Sequence, residues 1–338
     1  MKEGRKIKFS LLLVLVGLVL FACQNNPLKV DVSDVKVNLN FKSYDDDLFA
    51  ASGHLEQSIS KLQKEYGNFF TLFNYRMIGI GGPDSSSFYP QLKSFLNDTL
   101  IVSLKKKVDQ RIDKKQLKDE FTDAFKHYRY YFPNKAIPNI YTCVSGLNQS
   151  IIVADSLIGI SLDKFLGMDC KYYPRLGLPE YKIRNMYPGK IVPDAMHFWG
   201  QTEYPISNSA SKVIDHMIYQ GMLLYYEDAM MPDVPDTVKI GYTKKQLDFC
   251  IASEQGMWTY LAEHNLLFST KRMDIKRYVG DGPYTSSFSP KSPGRVGAWL
   301  GWQIVKAYMK KNPKVSLKEL MQTKDYLGIL NNSGYQPE

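Results

Sequence analysis

The sequence predicts an α+β fold, a predominantly helical single domain with a small, mainly antiparallel sheet. The 338 residues are 44% hydrophobic, enough to form a large core. Segments with helical spacing lie on both sides of a stretch at 139–162 that is rich in β-branched and aromatic residues. Neither a repeat nor a low-complexity linker separates these parts. We therefore expect one domain over residues 34–338, after a signal peptide at 1–22 and a tether at 23–33.

The N-terminus has the features of a bacterial lipoprotein signal. Residues 2–8 are mostly basic and residues 9–21 are almost wholly apolar. The apolar run is too short for a permanent membrane span and is typical of a secretory signal. Residues 20–23, Leu-Phe-Ala-Cys, resemble a lipobox, in which the cysteine becomes the acylated first residue of the mature protein. We predict lipid attachment at Cys23; an ordinary signal peptide or an uncleaved anchor is the alternative.

The first half of the domain is predicted to be one strand followed by helices. Apolar and polar residues alternate at 35–41, the period of a half-buried strand. Asp45, Asp46 and Asp47 suit the start of a helix because acidic groups stabilise a helix N-terminus, and this helix is expected to reach Tyr75. A glycine-rich break follows. The remaining helices are expected near 87–97, 99–112 and 115–131.

The middle segment supplies the rest of the predicted sheet. Residues 139–144 and 149–162 are rich in Ile, Val, Tyr and Thr. Asp155 and Ser156 lie between two apolar runs, at a position that favours a tight hairpin turn. The Tyr-, Pro- and Gly-rich segment at 171–205 is expected to be a long ordered loop.

The last third is predicted to be helical again. Helices are expected at 207–230, 243–267 and 295–310, with a loop at 271–293 and a final capped helix pair after Ser316. Gly297 and Gly301 lie on one face of the 295–310 helix. Glycine destabilises a helix interior by about 1 kcal/mol, so we expect this face to pack closely against a neighbouring helix, that at 207–230.

Composition and cysteine spacing exclude several function classes. The formal charge of +9 is spread too diffusely along the chain to indicate nucleic-acid binding. Cys143, Cys170 and Cys250 are widely spaced and form no CxxC pair, which argues against a zinc ribbon or a thioredoxin-type site. One disulfide is possible, and three buried free thiols are the slightly favoured interpretation. A G-x-S-x-G motif, which a serine hydrolase elbow needs, does not occur.

A degenerate metal motif lies at residues 215–219. Zinc peptidases place two histidines one helical turn apart in H-E-x-x-H, with the glutamate activating water. Here Asp215 and Tyr219 occupy the two ligand positions and His216 the position of the base. We therefore predict no catalytic residue, metal or cofactor. A hydrolase using Asp215, His216 and Glu254 is the alternative.

Arg295 begins a predicted helix, where a cation opposes the helix dipole. We therefore expect it to have an acidic partner or to reach a groove. Asp281 and Tyr284, in the preceding loop, are the candidates to meet it.

Several segments together resemble the gliding motility lipoprotein GldB of Bacteroidetes. These are YTCVSG at 141–146, IGISLDKFLG at 158–167, VPD at 192–194, IYQG at 218–221 with LY at 224–225, EQGMW at 254–258 and PGRVG at 293–297. The resemblance covers nearly the whole mature chain and is specific only in combination. It implies an envelope lipoprotein required for gliding and the associated secretion machinery. The family also resembles zinc peptidases, which implies a zincin-like fold whose metal motif is lost.

These features lead to one preferred function and two alternatives. We expect a non-catalytic lipoprotein that acts through envelope protein partners in gliding or in a non-gliding counterpart. It is expected to face the periplasm, because no clear acidic export cluster follows Cys23. A degenerate peptidase, or a peptide- or glycan-binding lipoprotein with aromatic residues in its groove, remains open. The expected groove contains Asp215, His216, Tyr219, Glu254, Trp258, Asp281, Tyr284 and Arg295.

Overall fold

The computed structural model describes residues 26–337, so the predicted signal peptide and Cys23 lie outside the described residues. Residues 26–31 form one unit, and Val32–Glu338 form a compact second unit. The second unit is a single, 56% helical domain with a four-stranded sheet, which confirms the predominantly helical prediction. Within residues 26–337, no helix is both long and apolar enough to cross a membrane.

The helices follow the predicted order. In the first half they are α1 (Tyr44–Ala50), α2 (Leu55–Tyr66), α3 (Asn68–Leu72), α4 (Phe88–Asn97), α5 (Thr99–Arg111) and α6 (Lys114–Tyr131). In the second half they are α7 (Glu180–Ile183), α8 (Ile191–Glu203), α9 (Val213–Met230), α10 (Asp236–Ile240), α11 (Lys244–Ala252), α12 (Glu254–Glu263), α13 (Arg272–Val279), α14 (Val296–Lys311), α15 (Leu317–Gln322) and α16 (Tyr326–Ser333).

Five predicted segments differ. The strand expected at 35–41 is limited to Phe41–Ser43, because its pairing with a neighbouring strand begins at Phe41. The helix expected to run from Asp45 to Tyr75 is divided into α1, α2 and α3. The first break is at 51–54. The second is at Gly67, whose φ of +50° is a conformation that a regular helix does not contain.

The other three segments lie in the second half of the domain. The long loop expected at 171–205 contains the helices α7 and α8, whose sequence pattern is masked by the surrounding Tyr, Pro and Gly residues. The helix expected at 243–267 is divided at Ser253, between α11 and α12. The loop expected at 271–293 contains the eight-residue helix α13, whose short pattern is hidden among the surrounding Gly and Pro residues.

The sheet is mixed, so the expectation of a mainly antiparallel sheet is wrong. Its order is β1-β2-β4-β3, with β1 (Phe41–Ser43) parallel to β2 (Asn139–Cys143) and β2 parallel to β4 (Leu157–Ser161). Only β3 (Ile151–Ala154) runs antiparallel to its neighbour, β4. A parallel pair needs a long crossover, and α1 to α6 supply it between β1 and β2. The predicted hairpin is confirmed, with Ser156 in the turn at φ +62°.

The main core contact is the crossing of α9 and α14, as the glycine pattern predicted. A Cβ atom placed on Gly301 would lie 1.8 Å from the Met217 carbonyl oxygen, and one on Gly221 would lie 2.2 Å from the Gly301 carbonyl carbon. On the same face of α14, a Cβ atom placed on Gly297 would lie 2.8 Å from the Tyr278 carbonyl oxygen. These contacts are too close for any side chain, so the glycines allow the two backbones to touch.

Candidate functional site

The main cavity has a volume of about 610 Å³, within the size range of small-molecule sites. Its walls come from the turn after β4, from α7 to α10 and from the loop before α14. The lining residues are Ser150, Lys164, Phe165, Leu178, Tyr181, Lys182, Asn185, Met186, Lys190, Asp194, His197, Phe198, Gln220, Lys239, Ile240, Gly241, Val279, Asp281 and Arg295.

Segments that carry the GldB resemblance meet at this cavity. The segment at 158–167 supplies Lys164 and Phe165, and that at 192–194 supplies Asp194. Gln220 comes from the 218–221 segment and Arg295 from the 293–297 segment. Four segments that are distant in sequence therefore contribute to the lining of one cavity.

Arg295 is held in an unusual conformation at the N-terminus of α14. Its φ of +60° lies in the left-handed region, which costs a residue with a Cβ about 1–3 kcal/mol. The preceding Gly294 is locked in place, because a Cβ there would lie 2.2 Å from the Gly282 carbonyl oxygen. The Arg295 guanidinium donates a hydrogen bond to Gln220 (3.3 Å) and lies 3.7 Å from the Asp281 carboxylate. The expected Asp281–Arg295 pair is therefore present, on the cavity wall.

His197 is oriented by a buried carboxylate. Its Nδ1 lies 2.7 Å from Oε1 of Glu227, a residue that is only 1% exposed. A carboxylate oxygen accepts a hydrogen bond from a protonated Nδ1, and Nε2 is then the second ring nitrogen of a side chain that lines the cavity. Among the described residues, Oε2 of Glu227 has no hydrogen-bond partner.

Two of the cavity lysines are engaged in the structure of the wall itself. Lys190 lies 2.7 Å from Asp194 and donates to the carbonyl oxygens of Val238 and Lys239. Lys239 pairs with the buried Asp228. Each ammonium group is therefore satisfied without a ligand.

Lys164 and Lys182 differ from those two lysines. In the described part of the chain neither forms an ion pair, and Lys164 donates only to the Leu147 carbonyl oxygen, at 3.2 Å. Partial burial lowers the pKa of Lys164, and the nearby charge of Lys182 lowers it further, while Asp163 raises it. Asp163 is buried and holds the loop beneath through hydrogen bonds from the Ser145 and Leu147 amides.

The degenerate metal motif has structural contacts. Asp215 accepts hydrogen bonds from the Ser211 and Lys212 amides, both at 3.0 Å, and so caps the start of α9. The Tyr219 hydroxyl donates to the Tyr204 carbonyl oxygen at 3.1 Å. His216 is partly buried, and this desolvation lowers its pKa.

The other expected groove residues lie in two further places. Glu254 accepts a hydrogen bond from the Tyr335 hydroxyl at 2.7 Å, and the Trp258 ring packs edge-on against the Tyr335 ring. These two residues therefore hold the C-terminal segment after α16. Tyr284 is 44% exposed and is not among the residues that line the cavity.

A group of three carboxylates elsewhere, Asp45, Asp46 and Asp109, has a spacing that could hold a metal ion. Lys114 lies 2.5 Å from Asp45 and 2.6 Å from Asp46, and Lys105 lies 2.5 Å from Asp109. The two ammonium groups pair with all three carboxylates, so this cluster is an ion-pair network that ties α1 to α5 and α6. The three described cysteines, Cys143, Cys170 and Cys250, are buried and free, which confirms the preferred prediction.

Sequence reasoning found Arg295 and Asp281 but missed most of the cavity. His197 lies on the helix α8, in a segment predicted to be a loop, and its partner Glu227 is thirty positions away. A histidine and a glutamate so far apart give no motif. The segments that resemble GldB could have indicated the cavity. This would have required the assumption that they meet at one surface.

Comparison with known proteins identifies the family. The family model described as gliding motility protein GldB, a lipoprotein family, matches residues 25–337. No curated protein and no solved structure matches the chain. The described residues and these comparisons do not support the zincin-like resemblance. The match implies a lipoprotein of the cell envelope and suggests a role in gliding motility. This chain therefore belongs to the GldB family of gliding motility proteins.

Proposed function

We propose that the protein is a non-catalytic lipoprotein, anchored through Cys23 and facing the periplasm. It acts in gliding motility and the associated secretion machinery, or in a counterpart of a non-gliding bacterium, by binding other envelope proteins. The observation that carries this proposal is the family match over residues 25–337. The N-terminal sequence supports it, because a basic segment, an apolar run and a cysteine occur in the order of a lipoprotein signal.

The contacts at the degenerate metal motif favour a non-catalytic role. A zinc site needs ligand atoms that are free to face a common point. The Asp215 carboxylate is instead directed to the backbone at the start of α9, and the Tyr219 hydroxyl to a carbonyl oxygen. A phenol with a reference pKa of about 10 is also a poor ligand at neutral pH, and burial raises the pKa of Tyr219 to about 12.

Cys23→Ser is expected to abolish lipid labelling and to release the mature chain from membranes or leave the precursor uncleaved. In a gliding host that lacks the gene, the wild-type protein should restore gliding and this variant should not. Crosslinking in intact envelopes should capture envelope protein partners with the wild type. These partners should not be captured with Cys23→Ser. The reason is that two or more acyl chains hold a protein stably at a membrane surface.

The matched control is Cys250→Ala, which removes a buried free thiol that is not part of the predicted lipobox. This variant should keep its lipid label and restore gliding. Undiminished labelling of Cys23→Ser would contradict the anchor. Gliding restored by an unlabelled protein would contradict the role proposed for the anchor.

His216→Ala is expected to leave the cellular role intact. The purified wild-type protein should contain no stoichiometric zinc and should not cleave casein. His264→Ala, which changes an exposed histidine stacked on Tyr260, serves as the control. One zinc ion per chain that is lost in His216→Ala but not in His264→Ala, together with a peptidase activity, would favour the hydrolase alternative instead.

A further inference from the structure

The cavity wall carries an excess of positive charge. Five cationic residues line it, against two carboxylates. Lys190 and Lys239 are paired within the wall, so they do not account for the excess. Arg295, Lys164 and Lys182 remain as cations whose charge is only weakly compensated. A concave surface of low polarisability strengthens the field of such groups, so a cavity of this kind attracts anions.

Arg295 is the best placed of the three to recognise an anion. The carboxylate in ion-pair contact with Arg295 is that of Asp281, at 3.7 Å. The Asp281 side chain is 62% exposed, so this ion pair is weak. A planar guanidinium with five donors matches the oxygens of a carboxylate or a phosphate group. The left-handed conformation of Arg295 has an energetic cost, and strained residues of this kind cluster at binding sites.

Lys164 and His197 add further donors. Lys164 is partly buried and lies near both the buried Asp163 and the cation Lys182, but it forms no ion pair among the described residues, so a bound anion would add a direct partner. His197 has its Nδ1 fixed by Glu227, which leaves Nε2 as the atom available to a ligand. The second oxygen of the Glu227 carboxylate is buried and has no hydrogen-bond partner among the described residues.

Part of the remaining wall is apolar. The apolar residues are Phe165, Leu178, Met186, Phe198, Ile240 and Val279, and they line the cavity together with the polar residues Ser150, Tyr181, Asn185 and Gln220. Phe198 is 41% exposed although it is a large apolar side chain on a helix. A ligand that fits the whole cavity therefore combines an anionic group with an apolar body, as small-molecule sites combine an apolar lining with a few placed polar groups.

We propose that this cavity binds a small organic anion, with its carboxylate or phosphate group on Arg295, Lys164 and Lys182 and its apolar part against Phe165 and Phe198. The site goes beyond the proposed role in gliding and does not depend on it. The two anionic groups share the same chemistry, because each offers two or more oxygens to a guanidinium and an ammonium.

The test uses 4-phenylbutyrate, phenyl phosphate and the neutral 4-phenylbutyramide with the purified mature protein. Both anions should bind in isothermal titration and raise the thermal midpoint, because a ligand that binds only the folded state stabilises it. The amide should bind at least about tenfold more weakly, since it lacks the charge that strengthens these hydrogen bonds. The anion that binds with the higher affinity then shows whether the site prefers a carboxylate or a phosphate group.

Arg295→Asn is the decisive variant, because asparagine tolerates the left-handed conformation and removes the guanidinium. It should fold with an unchanged or higher thermal midpoint and bind the preferred anion at least about tenfold more weakly. Lys164→Gln should act in the same direction. Lys244→Gln, at a lysine whose side chain is 84% exposed and does not line the cavity, should bind like the wild type.

Two results would overturn the inference. One is a lack of saturable binding by both anions up to about 1 mM, the weak end of useful affinity. The other is equal binding by the amide, or by Arg295→Asn, which would mean that the cavity does not select for negative charge. Inability of Arg295→Asn to fold would leave Lys164→Gln as the deciding variant, with the same expected loss.

Discussion

Gly301→Ala is expected to destabilise the protein by about 3 kcal/mol or more, an overpacking effect at the upper end of those seen in cores. The added methyl group would lie 1.8 Å from the Met217 carbonyl oxygen and 2.4 Å from its carbon. These atoms belong to the α9 backbone, so no side-chain rotation can relieve the contact. The α9–α14 crossing would have to open, and Gly301→Leu would require a still larger movement. Thermal and urea unfolding measure the loss.

Gly256→Ala is the matched control. Gly256 also lies inside a helix, α12, but has no heavy atom within 4 Å of the position of an added Cβ. Alanine is favoured over glycine in a helix by about 1 kcal/mol, so this variant should be neutral or more stable. A near-neutral effect of Gly301→Ala would contradict the close contact between α9 and α14.

Asp228→Ala is expected to cost about 3–5 kcal/mol, the usual effect of removing one partner from a buried ion pair. Asp228 pairs with Lys239, whose side chain is 3% exposed, and accepts a hydrogen bond from the Trp302 indole nitrogen at 2.8 Å. Lys306 lies 3.6 Å from the same carboxylate and 3.7 Å from the Trp302 ring centre. Without Asp228, the Lys239 charge is left in the protein interior, and its other ion-pair partner among the described residues is Asp236, whose side chain is 45% exposed.

Asp248→Ala is the control for this prediction. Asp248 forms an ion pair of 2.8 Å with Lys244, but both side chains are more than half exposed. Surface pairs of this kind contribute about 0–1 kcal/mol, so unfolding should change little. Asp228→Leu combined with Lys239→Met should recover much of the lost stability, because it removes both charges. If Asp228→Ala and Asp248→Ala cost the same, the buried network would not be needed for stability.

The local parts of the fold could be predicted from the sequence. The hairpin at 151–161 was found because Asp155-Ser156 separates two apolar runs, and the caps at Thr243 and Ser316 follow from their spacing to Gln246 and Glu319. The Gly297 and Gly301 pair predicted a close helix contact because two glycines on one helix face are costly unless another backbone approaches. Each of these signals spans only a few residues.

The direction of the strands could not be predicted. Alternating polarity gives the face of a strand but not the direction of its neighbour. The helices α1 to α6 between β1 and β2 form a crossover long enough for a parallel pair, and β4 joins β2 on the side opposite β1. The same limit applied to the groove. Asp215 and Glu254 were expected at the groove by analogy with a metal site, and Arg295 because a cation opposes the dipole at a helix start. Their contacts are with a helix start, the C-terminal segment and the cavity, respectively.

The sequence by itself determined a mostly helical domain, its capping boxes and the resemblance to the GldB family that the family match confirms, because these depend on short-range patterns and on the combination of family-like segments. Only the tertiary structure decided that Lys164, His197, Gln220 and Arg295 share one cavity, and that Lys190 and Lys239 are neutralised there while Lys164 is not. The reason is physical. The charge that a ligand meets depends on which groups the chain brings within a few ångströms of each other, and those groups are far apart in sequence.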